Sequence, residues 1–415
     1  MRDRKNFSTV CFLILVLAGL VIMPCSLAAG TPERNTISVL AYNIWGVISA
    51  RYRPARVAEI PAAIIQLDPD IINLEEAFRP QDHKALREGF EELGYPIRTW
   101  HYQDCGYGTG ILLISRFEAE EIGYQKFRAV GDIYSYERLA CRGLLRAVFR
   151  TPGGVLEFYS THSIPRMNLI FTEDMELIEG DPKELYRYLQ MYELSRMFKE
   201  RRGPGARSII AAGDFNVSPE MREYKLLMRL SGLRNSFDEM HPGENPSTYC
   251  IKTNEFATIE GSRIDHILYQ NYEGTRGLYL KPVESRVVMK NQLKTKRGQM
   301  HLSDHYGIFT VFEVADEGEI QKSSPPELSL PVKEKSFYLL GIKDAALEFP
   351  ARDREAWDAL ALKILSGFDK KLKHPTPAVK AAARILTAPK DKSIVRISME
   401  QDETRAIKRY LKKMK

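Results

Sequence analysis

The sequence predicts an α+β fold in which two β-sheets pack face to face and helices cover their outer surfaces. Two observations predict it. Over residues 37–315 too many short apolar runs follow one another without an intervening helix for a purely doubly wound sheet. The helical stretches between the others are too long for an all-strand barrel. A third observation locates function: polar residues recur just past the apolar runs, so a two-sheet sandwich would gather them along one edge.

The elements follow in order. Ile37–Asn43 reads as a strand, and Ala55–Leu67 as a helix entered through Pro54. Asp70–Leu74 is the next strand and His83–Glu92 the next helix. Ile111–Ser115, Leu144–Phe149 and Val155–Ser160 are strands in close succession. A long helix, Leu185–Glu200, leads to the strand Ser208–Ala212, and the last strands are Ile264–Tyr269 and Tyr306–Val314.

Four segments organise the 415 residues. Residues 1–28 read as a signal peptide or an N-terminal anchor: Arg2, Arg4 and Lys5 precede an apolar run to Met23 and the small-residue exit Ser26-Leu27-Ala28. The expectation is an exported protein, secreted or periplasmic, with membrane association as the variant in which the leader is kept. Residues 36–314 form the catalytic unit. Residues 315–335, with Ser323-Ser324-Pro325-Pro326, form a linker, and residues 336–415 a basic, mostly helical C-terminal extension. In that extension Trp357, Leu360, Ile364, Leu365 and Phe368 fall at helical spacing until Pro375-Thr376-Pro377 breaks the pattern. It either packs on the catalytic unit or meets anionic lipid through its Lys and Arg residues.

Charge is divided unevenly. Residues 321–415 hold 21 Lys or Arg against 12 Asp or Glu, whereas residues 33–320 hold 36 against 41. A protein gripping duplex nucleic acid through its catalytic face would place basic excess there, so nucleic acid is the less favoured partner. Outside the leader, which carries Cys11 and Cys25, the cysteines are Cys105, Cys141 and Cys250. Their spacing excludes a zinc site and a disulfide scaffold, and leaves room for one bridge and one thiol.

The candidate chemistry lies at the ends of the apolar runs. Asn43 ends the first, where a strand cap is the plainer account. Glu75 and Glu76 end the second; consecutive strand residues face opposite ways, so one is free to be solvated while Glu76 offers an oxygen to magnesium. Asp214 and Asn216 flank Phe215 after the Ile209–Gly213 run, where an ordinary Asp-Asn turn is the alternative. His162, at another strand end, is placed to donate to a phosphoryl oxygen. Asp265 is the candidate to orient His305, which would take a proton from water, while Asp304 points elsewhere.

These segments resemble the endonuclease/exonuclease/phosphatase superfamily of the DNase I-like fold. The resemblance spans about residues 36–314 and implies a four-layered α/β sandwich. It also implies metal ligation by Asn43, Glu76 and Asp304, phosphate contact by His162 and Asn216, nucleophile positioning by Asp214, and Asp265 orienting the base His305. Within that superfamily Asn43-Ile44-Trp45-Gly46, Leu74-Glu75-Glu76, Gly108-Thr109-Gly110, Ser115-Arg116-Phe117 and Arg263–Tyr269 look like the neutral sphingomyelinases, which release phosphocholine from ceramide with magnesium.

Arg187 and Gln190 match a helix pattern of those enzymes, a salt-bridged surface helix being the other account. One departure is Thr161-His162-Ser163-Ile164-Pro165, where that family's "T-H-L-H-A" has a second histidine. Gly131–Tyr136 and Arg142 resemble a substrate flap ending in Lys-Gly, with Tyr134 and Tyr136 as candidates to meet a choline cation.

The expectation is therefore a magnesium-dependent phosphodiesterase, with manganese as a substitute ion, acting on a phospholipid at a membrane surface, sphingomyelin first. A secreted nuclease or inositol-phosphate phosphatase is the alternative. A binding protein with an inactive hydrolase core would lack a ligand or the base, and none is missing.

Overall fold

The computed structural model describes residues 35–106, 108–128, 140–166, 169–171, 177–179, 183–200, 207–271, 278–295, 298–315, 341–343, 346–350, 354–371, 377–388, 394–398 and 401–414. The leader, nearly all of the linker, and the Gly131–Tyr136 segment lie outside the described residues. Strands β1 (Thr36–Asn43), β2 (Ile71–Glu75), β3 (Thr99–Tyr102) and β4 (Leu112–Ser115) alternate with helices α1 (Arg53–Ile65) and α2 (Pro80–Glu92). Then come β5 (Ala119–Lys126), β6 (Gly143–Thr151), β7 (Gly154–His162), the short pair β8 (Leu169–Phe171) and β9 (Leu177–Glu179), and helix α3 (Glu184–Glu200). Strand β10 (Ile209–Asp214), α4 (Arg222–Ser231), β11 (Arg234–Asn235), α5 (Ser236–Met240), β12 (Asp265–Gln270) and β13 (Tyr279–Val288) follow. The hairpin β14 (Gln292–Thr295) and β15 (Gly298–His301) precedes β16 (Gly307–Ala315).

Two six-stranded sheets result, ordered β13-β16-β1-β2-β4-β3 and β11-β12-β10-β7-β6-β5. The alternation of β1 shows why they pack. Val39 and Ala41 face the second sheet with Ile71, Leu113, Ala147, Phe158, Ile210 and Ile267. Leu40 and Tyr42, on the other face, meet Val57, Ile60 and Ile64 of α1 and Phe90 of α2. The second sheet's outer face meets Met191, Leu194 and Phe198 of α3 and Leu227 of α4. Helix, sheet, sheet, helix are the four layers that the strand count and helix lengths called for.

The strands of the two large sheets absent from the sequence reading are β13, β3, β11 and β5, all of them at sheet edges, and the buried helix α4 is absent from it as well. β5 is an edge strand with mostly exposed residues, so it lacks the apolar run that marks a buried strand. β13 is the opposite kind of edge, carrying Pro282 beside a register shift that Pro's missing N–H explains.

The extension packs on the catalytic unit. Helices α6 (Arg354–Lys371) and α7 (Pro377–Thr387) form one apolar cluster with α3 and α4, in which Trp357, Ile364, Val379 and Ile385 are fully buried beside Tyr188 and Leu226. Arg229 pairs with Asp358, and Lys380 Nζ lies 3.3 Å from Glu184. The extension is not only helical: besides α8 (Gln401–Met414) it contains a three-stranded sheet of β17 (Gly341–Lys343), β18 (Ala346–Pro350) and β19 (Ile394–Ser398). Two of these strands lie far apart in sequence, which hides their pairing from any local pattern. Among the described residues no helix is long and apolar enough to cross a membrane.

Cys105 and Cys141 form a disulfide across 36 residues, and Cys250 is a buried free thiol. The bridge ties the loop after β3, in one sheet, to the segment entering β6, in the other. Cys105→Ser is expected to lower unfolding free energy by about 2–4 kcal/mol, the usual effect of opening a loop of this size. Urea unfolding with and without reductant measures it: reductant should reproduce the loss in the wild type and add nothing in the variant.

Candidate active site

One edge of the sandwich collects strand ends from both sheets. β1 and β2 run parallel and finish together, Asn43 beside Glu75. In the second sheet β7 and β10 also finish together, His162 beside Asp214, and antiparallel β12 begins opposite them with Asp265 across from Asp214. The turn between β15 and β16 brings in Ser303, Asp304 and His305. All eight sequence-predicted residues thus come to one place. Gly213 is needed there: its φ of +142° and a Cβ that would collide with Thr161 O leave no room for a side chain.

Hydrogen bonds order the set. His305 Nδ1 meets Asp265 Oδ2 at 3.0 Å, so the carboxylate fixes the ring and turns Nε2 toward the cleft. Asp214 Oδ2 is central, 3.2 Å from Asn43 Nδ2, 3.4 Å from His162 Nε2 and 3.9 Å from His305 Nε2. Its other oxygen accepts the Asn216 backbone N–H at 2.9 Å, while Asn216 Nδ2 donates to Ser163 O at 3.0 Å. The strand does not continue through Asn216, which sits at φ 53°; the turn, rather than strand alternation, keeps Asp214 and Asn216 on the cleft and sends Phe215 into the core.

Glu75 and Glu76 depart from the expectation that one of them is solvated. Odd-numbered residues of β2 face the gap between the sheets, so Glu75 is fully buried there, hydrogen-bonded by Asn73. Burial, reinforced by Asp265 and Asp214, raises its pKa well above the carboxylate range. Glu76 follows the end of the strand at φ 61°, which turns its side chain into the cleft. With Glu76 and Asn216, Trp45 at φ 51° is a third non-glycine residue beyond a strand end in this strained region.

The electrostatics are those of crowded, dry carboxylates. Burial and the nearby Asp304 raise Glu76 to about 7, and burial and Asp265 raise Asp214 to about 7. Burial also raises Asp304. His162 is held neutral by burial, with Arg142 and His305 adding to the effect. Burial works against a charge on His305 too, but Asp265, Asp304 and Asp214 outweigh it and lift its pKa well above the usual imidazole value.

This donor set fits a hard divalent cation. Glu76 Oε2 is buried without a hydrogen-bond partner, as is Asp265 Oδ1, so carboxylate oxygens are left bare where like charges crowd. Ligand atoms of Asp214, Asp265 and His305 lie within 4.8 Å of one another. That trio differs from the expected Asn43, Glu76 and Asp304. Its His305–Asp265 pair is joined by a hydrogen bond, while Asp265 and Glu76 each keep one bare oxygen and Glu76 has Asp304 as its main charged neighbour, so oxygens on both sides are open to a cation.

The cleft itself is an open cavity of about 840 Å³, lined by Glu76, Asp304 and His305 together with Arg142, Arg166, Met221 and Tyr249. Tyr249 packs edge-on against His305, ring centroids 4.9 Å apart. Ile164, in the segment without the second histidine, is fully buried in the cluster shared with the extension and takes no part in the cleft.

Three supporting residues take their roles from the tertiary structure, and only Arg56 among them was not singled out in the sequence. Arg187 and Gln190 are fully buried, not a surface ion pair: Arg187 binds Glu223 and Pro165 O, and Gln190 Oε1 accepts from Ile164 N at 2.8 Å. Together they pin the strap that follows His162. Arg56 on α1 is the third, buried and donating to Ile44 O, Trp45 O, Arg51 O and Leu302 O. It therefore ties the backbone after Asn43 to the backbone before Ser303. Its only sequence signal is a charge among the apolar positions of α1. Arg56→Met is expected to cost about 1–3 kcal/mol of stability through the stranded carbonyls, read by denaturant unfolding.

Fold and cleft together define a two-sheet protein with carboxylates, amides and imidazoles set at converging strand ends. Residues 40–305 match the Endonuclease/Exonuclease/phosphatase family, and the chain belongs to it. It is 24% identical over 240 residues to a Drosophila melanogaster protein named "Putative neutral sphingomyelinase", covering 56% of this chain and 51% of that one. It is 22% identical over 237 residues to "Inositol phosphosphingolipids phospholipase C" of Schizosaccharomyces pombe, covering 55% and 53%. The chain spans about half the length of these curated relatives. A solved structure of D. rerio TDP2 complexed with single-strand DNA product shares the fold at 19% identity and a TM-score of 0.52, covering 67% of this chain and 98% of that one.

Proposed function

We propose that this protein is a divalent-cation-dependent phosphodiesterase that cleaves a phospholipid head group, with sphingomyelin, split to ceramide and phosphocholine, as its substrate. The observation that carries the reading is His305, held by Asp265, lining the same open cleft as Glu76 and Asp304. Both curated relatives bear names of sphingolipid-cleaving enzymes, and the acidic catalytic segment suits a lipid head group better than duplex DNA.

Glu76, Asp304 and Asn43 would hold magnesium. A cation bound there would polarise the phosphate and stabilise the departing oxygen. His305 Nε2 takes the proton of the attacking water, and Asp265 holds the imidazole in the tautomer that leaves Nε2 free. The one N–H of neutral His162, on the Nε2 that lies beside Asp214, would turn from that carboxylate to a phosphoryl oxygen, and the second amide hydrogen of Asn216 would donate beside it as the charge grows. Asp214 spans Asn43, His162 and His305 and keeps the three in register. Export joins this proposal on the leader pattern of residues 1–28, a basic start, an apolar run and a small-residue exit.

Arg142 and Arg166 on the cleft wall favour a second reading, a head group with extra negative charge such as inositol phosphate. One panel separates them: sphingomyelin, phosphatidylcholine, an inositol phosphosphingolipid, free inositol phosphates and DNA, each with magnesium and with chelator. Magnesium-dependent phosphocholine release supports the first reading. Preference for the inositol lipid moves the assignment to the second, and cleavage of DNA alone overturns both.

A further inference from the structure

We propose that the two loops formed by residues 44–52 and 249–262 are an interfacial patch that seats the protein on a phospholipid bilayer, with the cleft mouth against the head groups. This rests on the phospholipid reading above. The described residues leave six large hydrophobic side chains exposed, and three of them fall on these loops: Ile48 at 82%, Tyr52 at 50% and Ile251 at 50%. The other three, Leu93, Ile122 and Val283, sit singly on separate elements, as scattered surface apolar residues do.

The two loops form one surface. Trp45 of the first stacks on Phe256 of the second, ring centroids 4.8 Å apart, and the buried Arg56 guanidinium covers Trp45 at 4.7 Å and Phe256 at 5.8 Å. The patch is also continuous with the cleft. Ile251 N donates to Ile259 O at 2.9 Å, and Ile259 and Tyr249 of the same loop line the cleft wall. A loop with one side in the active site and its far end apolar and exposed suits a substrate that is itself embedded in a surface.

Charge complementarity selects the bilayer as occupant. Arg51, Lys290 and Lys294 are exposed, and Lys290 lies over Tyr306, whose hydroxyl donates to Thr253 O in the second loop. The carboxylates of the second loop are paired, Glu260 with Lys252 and Glu255 with His301. Exposed apolar side chains with exposed Lys and Arg on the same or neighbouring segments match a membrane interface, where the alkyl groups enter the acyl boundary and the cations meet lipid phosphates. Rigid anchoring of both loops means that docking orders little additional chain.

The test uses the full chain in chelator, so that binding is read without turnover. Vesicles of phosphatidylcholine and sphingomyelin, with and without phosphatidylserine, are sedimented with the wild type and with Ile48→Ser/Ile251→Ser. The double variant is expected to partition at least about tenfold less, from the lost apolar burial, while its hydrolysis of a soluble phosphodiester with magnesium stays at the wild-type rate. Unchanged partitioning overturns the patch, even if sphingomyelin in detergent micelles is cleaved. Vesicle binding lost in the variant while no phospholipid is cleaved by the wild type overturns the substrate reading and keeps the patch. A wild-type dimer that ignores vesicles and is dissociated by the double substitution makes the patch a protein interface and overturns the proposal.

Discussion

Replacing His305 with Ala is expected to lower kcat by roughly 10²–10⁴-fold, the span usual for a general base, with stability little changed. The ring is largely buried, but its bonded partner Asp265 keeps backbone neighbours, and the fold's apolar core lies elsewhere. Single-turnover hydrolysis beside thermal unfolding reads both quantities. An equal loss of folding and activity would assign His305 to structure. The pH profile is the more discriminating readout. Carboxylates raise the His305 pKa, so the proton persists to higher pH than on a free imidazole. A base must be unprotonated, so activity climbs with pH until His305 has lost its proton. Asp265→Asn removes the main opposing charge, and its acid limb should move to lower pH even as kcat falls.

Glu76→Gln is expected to weaken magnesium binding by more than the roughly 10–100-fold seen for residues that merely support a ligand. Calorimetric titration measures it. Burial and Asp304 raise the Glu76 pKa to about 7, so protons and magnesium compete for the same oxygen near neutrality. Wild-type affinity should therefore fall as pH drops below this value and plateau above it, whereas Glu76→Gln should lose the pH-dependent part. If the Asp214, Asp265 and His305 trio were the principal site, Glu76→Gln would leave the affinity nearly intact and Asp214→Asn would remove it.

The legible part of the fold was the part with strong local periodicity. β1, β2, β7 and β10 are buried, and each is announced by an apolar run that ends in a polar residue. The same runs flagged Asn43, Glu76, His162 and Asp214. By contrast β5, solvated along most of its length, and β13, broken by Pro282, carry no such run and depend on a neighbouring strand for their pairing. Arg187 and Gln190 were visible as a spacing, but whether they faced solvent or the His162 strap depended on what packed against α3.

By itself the sequence determined the chemistry at hand: the residue types, their positions at strand ends, and the order in which they recur. These are local properties, set by side-chain alternation and by the residues that can end a buried strand. Only the tertiary structure decided which groups meet, that Glu75 is sealed between the sheets, that Cys105 joins Cys141, and that Arg56 ties both halves of the site together. Burial and long-range contact set these outcomes. The charge state of Glu76, Asp214 and His305 depends on neighbours from other strands and on the absence of water, and neither is written in any local stretch of chain.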